Sequence, residues 1–91
     1  RVLFRSRLGL INQIFTEDFV KQAEDYLSEI ATNAPLTLRA IKNSLRELSK
    51  PEASRDLASA HALVQACFDS ADYQEGQAAF AAKRKPQFQG R

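Results

Sequence analysis

Residues that commonly carry catalysis or bind metals are scarce in this chain. Its 91 residues include one cysteine, Cys67, and one histidine, His61. There is no Cys-x-x-Cys and no His-x-x-x-His pair, so the sequence supports neither a structural zinc site nor a Cys/His nucleophile pair. We therefore predict no catalytic residue and no metal ligand in this chain, and we assign His61 a packing or surface role on a helix.

Glycine and long apolar runs are also scarce. The three glycines belong to no glycine-rich loop of the kind that cradles phosphates. No apolar run approaches the roughly 18 residues needed to span a membrane, and no signal-peptide pattern opens the sequence. A single cysteine cannot form an internal disulfide and favours a reducing compartment. We expect a cytoplasmic chain with no membrane partner.

Charge is distributed unevenly along the chain. Residues 1–7 carry three arginines and no acid, and residues 83–91 carry four cations. The segment between them holds six cations and all eleven acids, although the whole chain has a net charge of +2. Nucleic-acid binders spread basic residues over one face. The acidic body therefore argues against a nucleic-acid partner, while the basic end alone is able to hold a phosphate.

Apolar periodicity predicts a mainly α-helical chain with one short N-terminal strand followed by four helices. The run from Leu10 to Phe15 contains β-branched residues and predicts a strand that ends near Thr16. Beyond it, apolar residues recur at intervals of three and four, as on one face of a helix. The predicted helices cover about residues 17–32, 35–49, 54–69 and 73–84, whereas residues 1–7 fit neither period well.

The expected strand has no partner strand in the sequence. An isolated strand leaves its backbone hydrogen-bonding groups unsatisfied. The first residue is also Arg and not Met. On these grounds we expect the chain to be the C-terminal piece of a longer protein.

The last predicted helix carries the most distinctive local signals. Ser70 or Asp72 can cap its start, and with Asp72 as the cap, Glu75 falls at the spacing of a capping box. Gly76 then lies inside the helix, where glycine costs roughly 1 kcal/mol relative to alanine. Its presence suggests close approach by another backbone or by a ligand.

Phe80, Lys83 and Arg84 follow on the same helix at positions i, i+3 and i+4. This spacing places the aromatic ring beside one or both cations on a single face. Such a face can receive an aromatic base over the ring and a phosphate beside the ammonium group. Alternatively, Lys83, Arg84 and Lys85 only complement the negative end of the helix dipole. The spacing alone leaves both interpretations open.

The end of the chain carries a long motif that resembles the C-terminal motif of the enoyl-CoA hydratase/isomerase (crotonase) superfamily: Tyr73-x-Glu75-Gly76-x-x-Ala79-Phe80-x-x-Lys83-Arg84-Lys85-Pro86-x-Phe88-x-Gly90. Residues 8–12 and 34–42 are similar to two upstream segments of the family, in the same order. The resemblance covers about residues 7–91. Residues 1–6 depart from it, so we interpret them as a non-native remnant.

The resemblance implies a place in a larger α/β fold. In this family an N-terminal spiral of ββα units binds an acyl-CoA thioester and supplies the catalytic acids and the oxyanion hole. The C-terminal helical part, matched here by residues 7–91, acts as a lid and builds the trimer or hexamer. The implied activity of the parent is hydration of a 2-enoyl-CoA, with isomerisation as the alternative, and the fragment alone should be inactive.

The resemblance also implies site residues. The family's phenylalanine and lysine near the last helix match Phe80 and Lys83, which in relatives approach the adenosine and phosphate end of CoA, often across a subunit boundary. Arg84 is a weaker candidate. The CoA thioester is the expected substrate, and no covalently bound cofactor is expected.

A second interpretation belongs to a different class of protein. Amphipathic helices followed by a basic tail are also typical of a free-standing helical interaction module that docks on a protein and binds a polyanion. The acidic middle of the chain disfavours that function for the tail.

Overall fold

A computed structural model describes residues 2–91 of the chain, which cluster into two compact units. Unit 1 extends to Ile30 and unit 2 covers Ala31–Arg91. Unit 1 holds α1 (Val2–Arg7) and nearly all of α2 (Phe19–Ala31). Unit 2 holds α3 (Pro35–Leu48), a 3₁₀-helix (Glu52–Ser54), α4 (Leu57–Phe68) and α5 (Ala71–Ala81). Arg1, the first residue of the expected remnant, lies outside the described residues.

The predicted strand between Leu10 and Phe15 is wrong. These residues have an irregular backbone, and residues 2–91 contain helices but no strand. A strand is stable only when a neighbour completes its hydrogen-bond ladder, and this part of the chain supplies none. The apolar run is used differently, because the ring of Phe15 makes edge contacts with Phe19 and Tyr26 at centroid distances of 6.0 and 5.9 Å.

The N-terminal segment is more regular than its sequence predicts, because it includes the short helix α1. This helix ends in a left-handed turn at Gly9, which has a φ of 78°. The Gly9 N–H donates to the Ser6 carbonyl at 3.1 Å, and the Leu10 N–H donates to the Arg5 carbonyl at 3.0 Å. This pair of bonds is the Schellman motif, in which glycine is the usual residue at the left-handed position.

α2 begins two residues later than the predicted start at Glu17. Asp18 has a φ of 42° and therefore lies outside the helical region of backbone space. Its carbonyl nevertheless accepts the Gln22 N–H at 3.0 Å, as expected for a residue just before the first helical turn. The predicted helix is confirmed with shorter bounds, because the left-handed residue sets its first position.

The core of unit 2 is made of small side chains. α3 packs against α4 and α4 packs against α5. Each helix contributes one buried alanine, namely Ala40, Ala60 and Ala79. Alanines permit close approach of helices but bury little apolar area. Their hydrophobic stabilisation is correspondingly small, because each Å² of apolar surface removed from water contributes about 25 cal/mol. Larger apolar side chains such as Leu45 and Phe68 stay more than half exposed, so much of the apolar surface of this unit has no cover within residues 4–91.

The turn between α3 and α4 is organised by Glu47. This carboxylate is buried, at 6% exposure, and accepts from the Asp56 N–H at 2.8 Å and from the Lys50 ammonium at 2.7 Å. These contacts lower the pKa of Glu47, with the Asp56 N–H as the largest cause. Glu47 lies two turns after the buried Ala40 and shares its face.

No helix among residues 2–91 is long and apolar enough to cross a membrane.

Candidate functional site

The C-terminal turn of α5 carries the two residues assigned to the CoA end. α5 ends at Ala81, and Lys83 has a left-handed backbone with a φ of 55°. The Lys83 N–H donates to the Phe80 carbonyl at 3.2 Å, and the Arg84 N–H donates to the Ala79 carbonyl at 3.0 Å. This is the same Schellman pattern that ends α1, except that a lysine takes the position where glycine is preferred.

The predicted continuous helical face of Phe80, Lys83 and Arg84 is therefore wrong. The helix was expected to run to Lys83 or Arg84, and it ends before both. Pro86 disfavours helical backbone at the residue before it, and the two Schellman bonds already satisfy the last carbonyls of α5. The three residues share one tight turn instead of one helical face.

Phe80 and Lys83 are both open to solvent. Phe80 is 87% exposed, the most exposed of the large apolar residues within residues 4–91. No carboxylate within residues 2–91 forms an ion pair with Lys83. The turn thus offers an aromatic face and an ammonium group that can meet an aromatic base and a phosphate.

Arg84 has a different role from the one considered for it. Its guanidinium bonds both oxygens of Glu75, with Nη1 at 2.6 Å from Oε1 and Nη2 at 3.1 Å from Oε2. The Gln87 N–H donates to Glu75 Oε1 at 2.9 Å. Glu75 in turn raises the pKa of Arg84. Bidentate pairs of this kind fix geometry as well as charge, so Arg84 is a structural partner of Glu75.

The pKa of Glu75 falls from its ordinary value of 4.5 to about 2, mainly because Arg84 donates to the carboxylate and secondly because Gln87 does. A folded-state pKa below the unfolded value means that the ionised carboxylate stabilises the fold above about pH 4.5. That contribution is lost as the pH falls through about 2. We predict that the hydrogen-exchange protection factor of the Gln87 amide decreases over this range.

The Glu75→Gln variant is the control for this pH dependence. It has no carboxylate to titrate, so the Gln87 protection factor should be low and nearly constant from pH 5 to about pH 2. Equal protection at both ends of the range in the unmodified chain would contradict the prediction. So would the same decrease in the Glu75→Gln variant.

Asp72 holds the end of the chain. Its carboxylate is buried, at 3% exposure, and accepts the Gln89 N–H and the Gly90 N–H, each at 2.7 Å. The Asp72 N–H donates to the Arg91 carbonyl at 2.9 Å. Gln87 thus contacts Glu75 in the middle of α5, and residues 89–91 contact Asp72 in its first turn. We call residues 85–91 the C-terminal strap.

Of the two caps considered for α5, Ser70 is confirmed. Ser70 is the cap, and its hydroxyl oxygen accepts the Tyr73 N–H at 3.1 Å. Asp72 lies inside the first turn, so the capping box of Asp72 with Glu75 is wrong. Both carboxylates are used by the C-terminal strap or by Arg84, contacts that join residues 9 to 18 positions apart. No local spacing rule points to such pairs.

Gly76 faces the C-terminal strap. A Cβ built at this position would meet the ring of Phe88, with Cε1 at 3.7 Å and Cζ at 4.0 Å. These are ordinary van der Waals distances, so an alanine fits. The expected close approach of another backbone is absent within residues 2–91, and a side chain occupies the place.

An apolar groove lies in unit 2 between α3 and the helices that follow. It has a volume of about 480 Å³. Ile41 and Leu45 of α3 line one side, and Val64 and Phe68 of α4 line the other, with Tyr73 at one end. The Phe68 and Tyr73 rings pack edge to face at a centroid distance of 5.4 Å. The groove is thus a shaped surface able to receive apolar side chains.

The groove lining includes Cys67, Ser70 and Asp72, and the last two accept backbone N–H groups of α5 and of the C-terminal strap. Within the described residues, no cluster of three or more His, Cys, Asp or Glu side chains has metal-binding geometry. His61 is exposed on α4, and Cys67 is a half-buried free thiol whose Sγ lies 3.3 Å from the Leu63 carbonyl. The arrangement around Phe80 and Lys83 is suited to binding.

Comparison with known proteins places the chain in a family. The model of the enoyl-CoA hydratase/isomerase family matches residues 5–91. Methylmalonyl-CoA decarboxylase of Escherichia coli is 37% identical over 89 residues, and 2,3-dehydroadipyl-CoA hydratase of the same organism is 33% identical over 84 residues. Each alignment covers 91% of this chain but 33% of the relative.

A solved structure agrees with the sequence matches. An enoyl-CoA hydratase/isomerase from Mycobacterium paratuberculosis superposes with a TM-score of 0.75 at 28% identity, covering 98% of this chain and 35% of that protein. The chain therefore spans about a third of the length of the relatives it matches. The resemblance carried by residues 73–90 is confirmed, and the chain belongs to the enoyl-CoA hydratase/isomerase family.

Proposed function

We propose that this chain is the C-terminal helical part of a longer enoyl-CoA hydratase/isomerase that acts on acyl-CoA thioesters in the cytoplasm. The proposal is supported by the family match over residues 5–91 and by a span of about one third of each relative. The motif from Tyr73 to Gly90 resembles the C-terminal motif of the family. The upstream part, in this proposal, supplies the catalytic acids and the oxyanion hole.

The proposed reaction of the longer protein is hydration of a 2-enoyl-CoA, with isomerisation as the alternative. Both relatives are named for a CoA thioester. One is named as a hydratase, and the other, which has the higher identity to this chain, is named as a decarboxylase. A CoA ester is thus the feature their names share. No covalently bound cofactor is included in the proposal.

The helical part is proposed to act as a lid and as an oligomer contact in a trimer or hexamer. The observation behind this proposal is the apolar groove, together with exposed apolar side chains such as Leu45 and Phe68. Large uncovered apolar surfaces mark places where another protein surface docks. The upstream part or a neighbouring subunit is the proposed cover.

The CoA end is proposed to lie against Phe80 and Lys83, and the backbone of Lys83 carries this proposal. A left-handed backbone costs a non-glycine residue roughly 1–2 kcal/mol. Capping alone favours glycine there, as at Gly9, so the lysine side chain needs another reason to be present. Contact of its ammonium with a phosphate oxygen of CoA supplies that reason.

Lys83→Gly in the longer protein should weaken binding of CoA esters by about 1–3 kcal/mol, the scale of a lost charge-assisted hydrogen bond. Glycine is chosen because it keeps the left-handed turn that ends α5, whereas alanine would retain the backbone strain. Isothermal titration calorimetry with CoA measures the change in Kd.

Lys85→Gln is the matched control for this experiment. It removes a neighbouring cation that has no assigned contact, so the Kd should change less than about twofold. An unchanged Kd in Lys83→Gly would mean that the basic cluster serves only the dipole of α5.

The second candidate function is a free-standing helical interaction module with a polyanion-binding tail. The exposed apolar groove favours a docking role. The ion pair between Arg84 and Glu75 argues against polyanion binding, because it neutralises one of the four cations at the end of the chain. The sequence upstream of this chain separates the two candidates, because only the first requires a catalytic part.

A further inference from the structure

We propose that Glu75 is a positioning residue for CoA binding, acting through Arg84 and Gln87 to hold Lys83 in its left-handed turn. This inference rests on the proposed contact between Lys83 and CoA. Glu75 itself is expected to touch no part of the CoA. Its effect passes through Arg84 and Gln87, which both follow Lys83 in the chain.

The turn that contains Lys83 is held from both sides. On its N-terminal side, the Lys83 N–H is bonded to the Phe80 carbonyl in the last turn of α5. On its C-terminal side, the guanidinium of Arg84 is held by Glu75 through two hydrogen bonds, and the Gln87 N–H by a third. The Lys83 N–H and the next residue, Arg84, are both held by hydrogen bonds. The φ of 55° at Lys83 is therefore set by these surrounding contacts.

Glu75 is suited to act on Lys83 without unfolding the strap. Asp72 holds Gln89 and Gly90 independently, through its own two oxygens. Loss of the Glu75 contacts should therefore loosen residues 82–87 and leave the end of the strap in place. Once loosened, Lys83 can leave the strained left-handed region, and its ammonium then has no defined position.

The competing explanation is that the Glu75–Arg84 pair only stabilises the fold. Glu47 provides a matched comparison, because it too accepts one backbone N–H and one cation, from Asp56 and Lys50. It lies at the α3–α4 turn, away from the turn that holds Lys83. A purely structural role of Glu75 predicts the same effect on CoA binding from either substitution.

The test measures CoA binding and steady-state kinetics of the longer protein carrying Glu75→Gln, Lys83→Gly, both substitutions, or Glu47→Gln. We expect Glu75→Gln to raise the Kd for CoA and the KM for its ester about threefold to tenfold, with kcat unchanged. In the Lys83→Gly background, Glu75→Gln should change the Kd less than about twofold, since the group it positions is gone. Glu47→Gln should leave the Kd within about twofold of the unmodified protein.

Hydrogen exchange supplies a readout that does not depend on CoA. In Glu75→Gln, the amide of Arg84 should lose protection while the amides of Gln89 and Gly90 keep theirs. Equal weakening by Glu75→Gln in both backgrounds, or by Glu47→Gln, would overturn the positioning role and leave the contact of Lys83 standing. An unchanged Kd in Lys83→Gly alone would overturn the contact itself, and with it this inference.

Discussion

The purified 91-residue chain should show no measurable hydration of crotonyl-CoA. Its described residues offer binding surfaces at the groove and at Phe80 and Lys83, and they contain no group of three or more His, Cys, Asp or Glu side chains that could hold a metal ion. In the proposed longer protein, the bond-making groups lie upstream. The loss of ultraviolet absorbance of the enoyl thioester measures the reaction. Because the more identical of the two relatives is a decarboxylase, methylmalonyl-CoA should be tested beside it, with the same negative result.

The longer protein is the positive control for this experiment. It should turn over at least one of the two CoA esters under the same conditions. The sequence upstream should encode a ββα-rich part of roughly 160–200 residues, which is an ordinary domain size. Turnover by the 91-residue chain itself would contradict the division of labour proposed here.

Asp72→Ala should lower the free energy of unfolding by about 2–4 kcal/mol. The substitution leaves the amides of Gln89 and Gly90 without their acceptor at a buried position, and each unsatisfied donor costs about 1–3 kcal/mol. Water that reaches the loosened strap satisfies part of the hydrogen bonding of the two amides. The expected loss of stability is therefore smaller than the largest possible sum of the two penalties. Urea denaturation monitored by circular dichroism gives the value.

Asp69→Ala is the control for Asp72→Ala. Asp69 is also an acid near the start of α5, but its side chain has only a long contact of 3.5 Å with Gln65. We expect this variant to unfold within about 0.5 kcal/mol of the unmodified chain, as surface substitutions usually do. If Asp72→Ala were equally mild, the strap would not be held by this carboxylate.

The helices of unit 2 could be predicted from the sequence because their causes are local. Pro35 fixes the start of α3, and apolar residues at intervals of three and four extend it to Leu48, one residue short of the predicted end. α4 starts at Leu57 because the Asp56 carboxylate caps it by accepting the Ser59 N–H at 2.9 Å. This start lies within a few residues of the predicted one near residue 54. The strand was mistaken because a short apolar run satisfies the strand pattern even where no partner exists.

The sequence motif named the candidate site residues but did not give their geometry. The motif that ends the chain pointed to Phe80 and Lys83, and both residues are exposed. Their arrangement depends on where α5 ends, which is decided by the left-handed turn at Lys83. The contacts that support this turn come from Glu75 and Asp72 to residues far along the chain. Helical spacing rules do not reach such distances in sequence.

The burial of acidic residues could not be predicted from the sequence, for one physical reason. Glu47 and Asp72 are both buried and accept backbone N–H groups, although Asp72 was considered as a helix cap. A carboxylate can satisfy several donors at once, so it is stable inside a turn or beneath a strap where the backbone supplies them. The sequence shows the acid but not the donors that meet it.

The contact between Lys83 and CoA is the central claim, and a structure of the longer protein with CoA bound tests it most directly. We predict that the Lys83 ammonium lies about 3 Å from a phosphate oxygen of CoA, with the ring of Phe80 against the adenosine end and the Lys83 backbone still left-handed. A bound CoA whose phosphates all lie beyond about 6 Å from every Lys83 ammonium in the assembly would contradict the account.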